Sequence, residues 1–465
     1  MDMRSVVEFD LGMELGQVRS VPVSLGKGNP DAVLFVYSSQ GNLDPWPELF
    51  TYPKDTLKMA LYTESGIPMW KRDLGNGVIP GVWYTPFISF DLDQDGVDEI
   101  WFVDNLNPNL PFSLNARVLE RIDPLTGKTT GQWKWPDNTI NDTMSHSYRF
   151  FITGGYAHGK PVLVTAQGTY RDMYLQGHHM VDGKLEERWS IKIPYDDGGA
   201  RSSHLCPVLD YDGDGVDELF WGERLLSFDD GHELFCGDKG RYVGHSDIVI
   251  PFEDVKTGKR YIFTCREDDE REGEPRVVTY GEKGERVWTA VTGTGHMHNG
   301  WIANIGQGYR KVAMAMRITR KIIDNAIVDT QPEDFYFDAV SGDPLESVLP
   351  FKGDEFMPVD FDGDGYHEFY GTSGDRKGFV LDSKGNVLAY VGGSGVVRSG
   401  KVLKRPGEML MAFYKDEGKV RIWADTEAKE SPYTQKRFEN CYHWRMQHFM
   451  GTGYNHAHSH ITCGM

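Results

Sequence analysis

The sequence predicts an all-β protein, a β-propeller of four-stranded antiparallel blades. Three observations carry that prediction: a repeated strand-turn-strand unit, a high glycine content and many aromatic residues. The 465-residue chain holds 53 Gly beside 24 Phe, 22 Tyr and 12 Trp. Glycine at that level points to many tight turns between strands and away from helical bundles. Length alone suggests about three domains at roughly 150 residues each, but all-β chains exceed that figure as single units.

The repeat is an apolar strand, an Asp/Gly turn and a second apolar strand. It runs VPVSLGKGNPDAVLFVYS from residue 21, PFISFDLDQDGVDEIWFVD from 86, RFFITGGYAHGKPVLVTAQ from 149 and LCPVLDYDGDGVDELFWG from 205. It continues with DIVIPFEDVKTGKRYIFTC from 247, WIANIGQGYRKVAMAM from 301, FMPVDFDGDGYHEFYGT from 356 and GKVLKRPGEMLMAFYKD from 400. Eight copies lie about 54 residues apart on average, near the roughly 40–50 of a propeller blade. One irregular copy would make seven blades the alternative. Most copies are followed by a second hairpin whose last strand often carries Trp, as in YTESGIPMW, IDPLTGKTTGQWKW, MVDGKLEERW and YGEKGERVW. Each unit therefore reads as four antiparallel strands, and a closed ring of them leaves few exposed edges. RSVVEFDLG precedes the first copy and is predicted to complete the last blade. Residues 1–465 then form one domain, with 430–465 as a closing segment, since no Pro- or Ser-rich linker divides the chain.

The formal charge of −20 opposes non-specific binding to nucleic acid or anionic membranes. No run approaches the roughly 18 apolar residues of a transmembrane helix, and MDMRSVVEFD does not look like an export signal. The expectation is a soluble monomer, either cytoplasmic or exported after loss of a leader. Cys206, Cys236, Cys265, Cys441 and Cys463 show no CxxC spacing and read as reduced, mostly buried thiols.

Three copies carry carboxylate-dense turns: Asp91, Asp93 and Asp95; Asp210, Asp212 and Asp214; Asp360, Asp362 and Asp364. Alternating oxygens around a Gly-permitted turn suit a structural calcium ion, although Asp and Gly are also ordinary turn residues. All three turns join first to second strands and so share one face of the ring. Residues just before each first strand converge on the opposite mouth. There the sequence places Arg19, Tyr84, His146, Arg149, Arg201, His204, Tyr242, His245, His298, Trp301 and Arg398, with Tyr170, Arg171, His178 and Arg266 on loops reaching the same face.

Such a mouth suits an anionic, ring-shaped substrate such as a uronic-acid glycan, because Arg binds carboxylates bidentately and His or Tyr moves protons. No acidic pair is evident there, which disfavours the two-carboxylate scheme of glycosidases and favours β-elimination at a uronate. His146 and His204 are the candidate base and acid, Tyr170 and Tyr242 the alternates, and Arg201 with His245 would neutralise the carboxylate. Arg19, Tyr84, Arg149, Arg171, His178, Arg266, His298, Trp301 and Arg398 are the candidate substrate contacts. A divalent ion held by His204, His245 and His298 is the rival reading of the histidines.

RSSHLCPVLDYDGDGVDELFWGERLLSFDDGHELF followed by GHSD resembles the propeller-fold rhamnogalacturonan lyases, and PYTQKRFENCYHWRMQHFMGTGYNHAHSH resembles their C-terminal segment. SHSYRFFITGGYAHGKPVLVTAQGTY is similar to the smaller propeller lyases for ulvan and for rhamnose-capped glucuronate. The resemblance implies cleavage beside a uronate linked to rhamnose, often with a divalent ion, and His146, His204, His245 and Arg201 match by local context. The short chain, without an appended binding module, favours ulvan or rhamnosyl-glucuronate glycans. A rhamnogalacturonan lyase, or a hydrolase releasing rhamnose from glucuronate, is the alternative; a non-enzymatic glycan-binding propeller ranks last.

Overall fold

The computed structural model describes residues 1–46, 50–113, 116–136, 142–267, 273–323, 326–329, 332–346, 348–449 and 463–465. Eight sheets form an eight-bladed propeller. The first blade is Gln17–Val23, Ala32–Ser38, Lys58–Thr63 and Pro68–Asp73, and the other blades repeat this antiparallel meander. Their first strands are Phe87–Phe90, Phe150–Ala157, Val208–Leu209, Ser246–Glu253, His296–Gly306, Phe356–Val359 and Gly395–Gly400. First strands of neighbouring blades touch around the ring, so they are the innermost. Among the described residues the main sheet of the sixth blade has three strands, and a hairpin of Arg320–Ile323 with Ala326–Asp329 stands apart from it. The last blade takes Met3–Asp10 as its outer strand, pairing Met3 with Asp425 and Asp10 with Lys419.

Burial follows the radial order. Inner strands such as Phe87–Phe90 and Glu99–Asn105 are buried throughout, whereas the outer strands Pro68–Asp73 and Thr129–Lys134 alternate exposed and half-buried residues. The recurring outer-strand Trp has a physical role: it ties its blade to the next. Indole Nε1 of Trp70 donates to Pro124 O at 2.7 Å, that of Trp189 to Phe228 O at 2.9 Å and that of Trp288 to Ala339 O at 2.9 Å. Each indole lies flat on a hairpin glycine of the neighbour, Gly127, Gly231 or Gly342, where a Cβ would come within 2.6, 2.7 or 2.5 Å of the ring. All three glycines also have φ between 68° and 77°, a backbone that L side chains rarely adopt.

Three short α-helices, α1 (Met144–Ser147), α2 (Pro432–Glu439) and α3 (Cys441–Phe449), and one 3-10 turn at Gly353–Glu355 complete the described chain. None is long and apolar enough to cross a membrane. Helix α3 packs on the first strands of blades one to four, and Phe449 fits against Gly154, where a Cβ would come within 2.7 Å of its ring. No disulfide forms among the described residues; Cys265 and Cys463 are buried and Cys441 is exposed. The end of the C-terminal motif, GTGYNHAHSH, lies wholly outside the described residues.

Two strand positions differ from the sequence reading. The sixth blade begins at His296, and the eighth at Gly395. The pairing extends into polar residues because backbone hydrogen bonds, with bulges at Met297/Asn299 and Val396/Arg398, continue past the apolar run. Trp301 and Arg398 therefore lie inside strands, and Lys401 falls at the opposite end of its blade, paired with Glu430.

Candidate active site

Residues preceding the first strands of blades three to six do converge, and they form a cavity of about 660 Å³. His146, Tyr170, Arg171, Arg201, Glu267 and His296 line it, together with two exposed aromatics, Trp46 and Tyr195. Beside it the strand starts RSSH, GHSD and GHMH bring His204, His245, Asp247, His296 and His298 together. The approach is steric as well as chemical: Gly244 packs under Tyr242, where a Cβ would lie 2.6 Å from the ring.

Asp247 is the centre of this cluster and is fully buried. Its Oδ2 accepts from His298 Nδ1 at 2.8 Å and lies 3.2 Å from His296 Nε2. Its Oδ1 is buried and makes no hydrogen bond among the described residues, with His204 Nδ1 at 3.4 Å and His245 Nε2 at 3.7 Å. Burial opposes ionisation of Asp247, but the ring of imidazoles around it, with His296 and His298 in hydrogen-bond contact, holds its carboxyl well below the ordinary range. Burial keeps His204 well below the usual imidazole value and His245 down at about 3, so both are neutral donors. Glu267 completes the group, 3.9 Å from His245 and 3.6 Å from His296. One donor atom each from His204, His245, Asp247 and Glu267 all lie within 4.8 Å of one another. Two neutral imidazoles, two carboxylates and a buried oxygen without a hydrogen bond fit a divalent cation.

Asp247 and Glu267 are an acidic pair at the mouth, contrary to the expectation that none stands there. The pair does not restore the glycosidase scheme, because Asp247 is sealed behind four histidines and cannot reach a sugar.

On the cavity side, His146 Nδ1 lies 2.6 Å from Asp142 Oδ1, and Arg171 pairs with the same carboxylate. The Tyr170 hydroxyl donates to Glu267 at 3.3 Å. Arg149 is buried beneath the rings of Trp83 and Tyr170, 4.7 and 5.2 Å from their centroids, and therefore supports the cavity without lining it. Arg201 donates to the carbonyl of Tyr195 and lies 4.4 Å over its ring.

The remaining predicted contacts lie elsewhere. The Tyr242 hydroxyl donates to His245 O at 2.7 Å, a scaffold role. Arg266 is buried against Glu223, Asp238 and the Tyr280 hydroxyl. His178 lies inside blade three beside Thr165 at 3.1 Å, and burial brings it down to about 4. Trp301 is buried and donates to Gly353 O, and Tyr84 packs on Tyr148. Arg19 donates to Thr85 O between blades one and two, and Arg398 reaches Gln447 of α3. In each case an acceptor or ring elsewhere in the fold claims the side chain.

The acidic turns do lie between first and second strands, at the other end of the ring. Asp91, Asp93 and Asp95 bring their carboxylates together, as do Asp210, Asp212 and Glu218. Glu218 takes the place expected of Asp214, whose carboxylate accepts from Val216 N at 2.8 Å. In the third turn Asp360 is 3.2 Å from the Thr434 hydroxyl and 3.6 Å from Arg437, while Asp362 and Asp364 accept amides of their own loop.

The fold and mouth define an eight-bladed propeller with a concave site, beside a buried His–carboxylate cluster, at one end of its channel. The family model "Rhamnogalacturonan lyase family 11, C-terminal domain" matches residues 126–349, a stretch that contains the whole His–carboxylate cluster. The chain is similar to the rhamnogalacturonan endolyase YesW of Bacillus subtilis, 27% identical over 231 residues, which are 43% of this chain and 36% of the relative. It is similar also to the rhamnogalacturonan exolyase YesX of the same organism, 26% identical over 279 residues, 54% of this chain and 44% of the relative. The alignments thus span less than half the length of these relatives. Among solved structures, the Bacillus licheniformis rhamnogalacturonan lyase PL11 shares the fold with a TM-score of 0.74 at 18% identity, covering 97% of this chain and 81% of that one. The YesX structure superposes with a TM-score of 0.73, also at 18% identity, over 95% and 80%.

Proposed function

We propose that the protein is a polysaccharide lyase that cleaves rhamnogalacturonan-type glycans by β-elimination beside a uronate at the His-rich mouth. One observation carries the reading: the segment similar to the lyase family holds both the buried His204–His245–Asp247–Glu267 cluster and the Arg171, His146 and Tyr170 side chains of the cavity. The family and both curated relatives favour rhamnogalacturonan over the ulvan or rhamnosyl-glucuronate substrate that the short chain suggested.

In this reading the uronate carboxylate is drawn to Arg171 at the cavity wall. His146, oriented through Nδ1 by Asp142, takes the C5 proton at Nε2. The C4–O bond then breaks, a C4–C5 double bond forms, and the Tyr170 hydroxyl gives its proton to the leaving oxygen. Histidine 204 is too buried to reach a sugar and serves the cluster instead. His204, His245, Asp247 and Glu267 would hold a divalent ion, whose charge stabilises the enediolate when bound. At the far face, calcium held by Asp91, Asp93 and Asp95, and by Asp210, Asp212 and Glu218, would brace the hairpins.

Incubation with rhamnogalacturonan, ulvan and gum-arabic oligosaccharides tests the reading. An unsaturated, near-ultraviolet-absorbing product from rhamnogalacturonan is expected; reducing ends released without that absorbance would favour the hydrolase. For the turns, chelation followed by calcium addition is expected to lower and then restore the melting temperature, by about 2–3 kcal/mol of stability at saturating ion. An unchanged melting curve would remove the calcium proposal.

A further inference from the structure

The mouth contains an element that the chemistry above does not use. In the first blade, the connection between Ala32–Ser38 and Lys58–Thr63 reaches across to blades two and three and ends its described approach at Trp46, which lines the cavity at 39% exposure. Its open ring offers apolar surface at the cavity wall that a ligand can cover. Trp46 makes no ring-stacking or cation–π contact among the described residues, unlike Tyr195 across the cavity, whose ring lies 4.4 Å from the Arg201 guanidinium and 5.3 Å from that of Arg171.

Asp44 holds Trp46 in place. Its Oδ1 accepts the Trp46 amide at 2.8 Å and the Arg149 guanidinium at 3.2 Å, and its Oδ2 accepts the Trp83 indole N–H at 3.0 Å. Those partners lead inward. Arg149 lies beneath Tyr170, and Trp83 packs 5.2 Å from His204. One carboxylate thus registers the rim aromatic against both the proton-carrying Tyr170 and the buried cluster.

We infer that Trp46 is a sugar-stacking subsite, positioned by Asp44, that receives the apolar face of a neutral pyranose next to the uronate bound at Arg171. The inference rests on the glycan-cleavage reading for the identity of the neighbouring sugar. Its geometry sets where a second residue of the glycan lies relative to the scissile bond, because the Asp44 hub fixes platform and site together.

The test uses the full chain with rhamnogalacturonan oligosaccharides and, as a comparison lacking neutral sugars, oligogalacturonates. Trp46→Ala is expected to raise KM for rhamnogalacturonan about tenfold with kcat within about twofold. The emission difference between wild type and Trp46→Phe is expected to shift on adding rhamnogalacturonan and to respond less to oligogalacturonate. Asp44→Asn is expected to abolish that shift while the melting curve stays cooperative, which separates positioning from folding. An unchanged KM in Trp46→Ala, or no glycan-dependent Trp46 emission, overturns the inference. If the wild type yields no unsaturated product but Trp46 emission still responds to rhamnogalacturonan, the elimination reading fails and the subsite stands.

Discussion

The two ends of the ring are built from the same ingredients, carboxylates with basic side chains, and differ in which is enclosed by which. At the acidic-turn face, two arginines and a buried histidine arrive from one late segment to meet carboxylates that the blades supply. Arg445 binds Asp217 through two contacts of 2.7 Å, Arg437 binds Glu408 at 2.8 Å, and His448 approaches Asp98 at 3.7 Å. At the mouth, one buried carboxylate, Asp247, is enclosed by imidazoles from three blades, and the cavity opens beside it. The first arrangement closes the ring; the second leaves donors that can serve a ligand. The difference shows why a net charge of −20 says little about function here: it does not reveal which carboxylates are paired with bases and which are enclosed by imidazoles.

The largest expected contrast is catalytic. His146→Ala and Tyr170→Phe should each lower kcat about 10²–10⁴-fold while leaving the melting temperature unchanged, since both side chains line the cavity. Comparable loss of stability in these variants would make them structural residues and erase the distinction between the faces. Next in size, Arg445→Met should destabilise the fold by about 3–5 kcal/mol, because it leaves Asp217 buried without its counter-charge; chemical denaturation measures it. Activity of the folded fraction should survive.

Acid probes the same face. Burial brings His448 down to about 4 from the ordinary 6.5, so the unfolded chain binds the extra proton first. Stability contributed by the neutral ring is complete above pH 6.5 and is lost as pH falls through that value towards 4, by about 3 kcal/mol. His448→Gln should flatten that part of the stability–pH curve, read by urea titration at several pH values; an unaltered slope would place the titration elsewhere. Smallest is Tyr242→Phe, which removes one hydrogen bond to a backbone carbonyl. It should cost about 1 kcal/mol of stability and leave kcat nearly intact, in contrast to Tyr170→Phe.

Blade number and mouth position were legible because a propeller writes its topology as a period: every hairpin recurs, and the residues before each first strand share one fate. The histidines at 146, 204, 245 and 298 were found that way. Asp247 was not, because the D of GHSD reads as the start of an apolar strand, and only the ring's curvature turns it inward. Glu267 follows the second strand of its blade, and Trp46 lies far from the repeat core in sequence, so neither carries a local signal. The opposite error has a common cause too. Arg266, His178 and Trp301 have the chemistry of ligands, but partners distant in the chain satisfy them; Arg266 meets Glu223 from 43 residues away. Sequence spacing shows where a side chain starts and not what already binds it.

The central claim is that the His-rich mouth cleaves a uronate glycan by elimination. Mass analysis of rhamnogalacturonan digests tests it most directly, with wild type and His146→Ala compared at equal folded concentration. The account predicts a wild-type fragment lighter by one water than the hydrolysis product, and its near-complete loss in the variant. A fragment carrying the full water, or the same unsaturated product formed at an undiminished rate by His146→Ala, would contradict it.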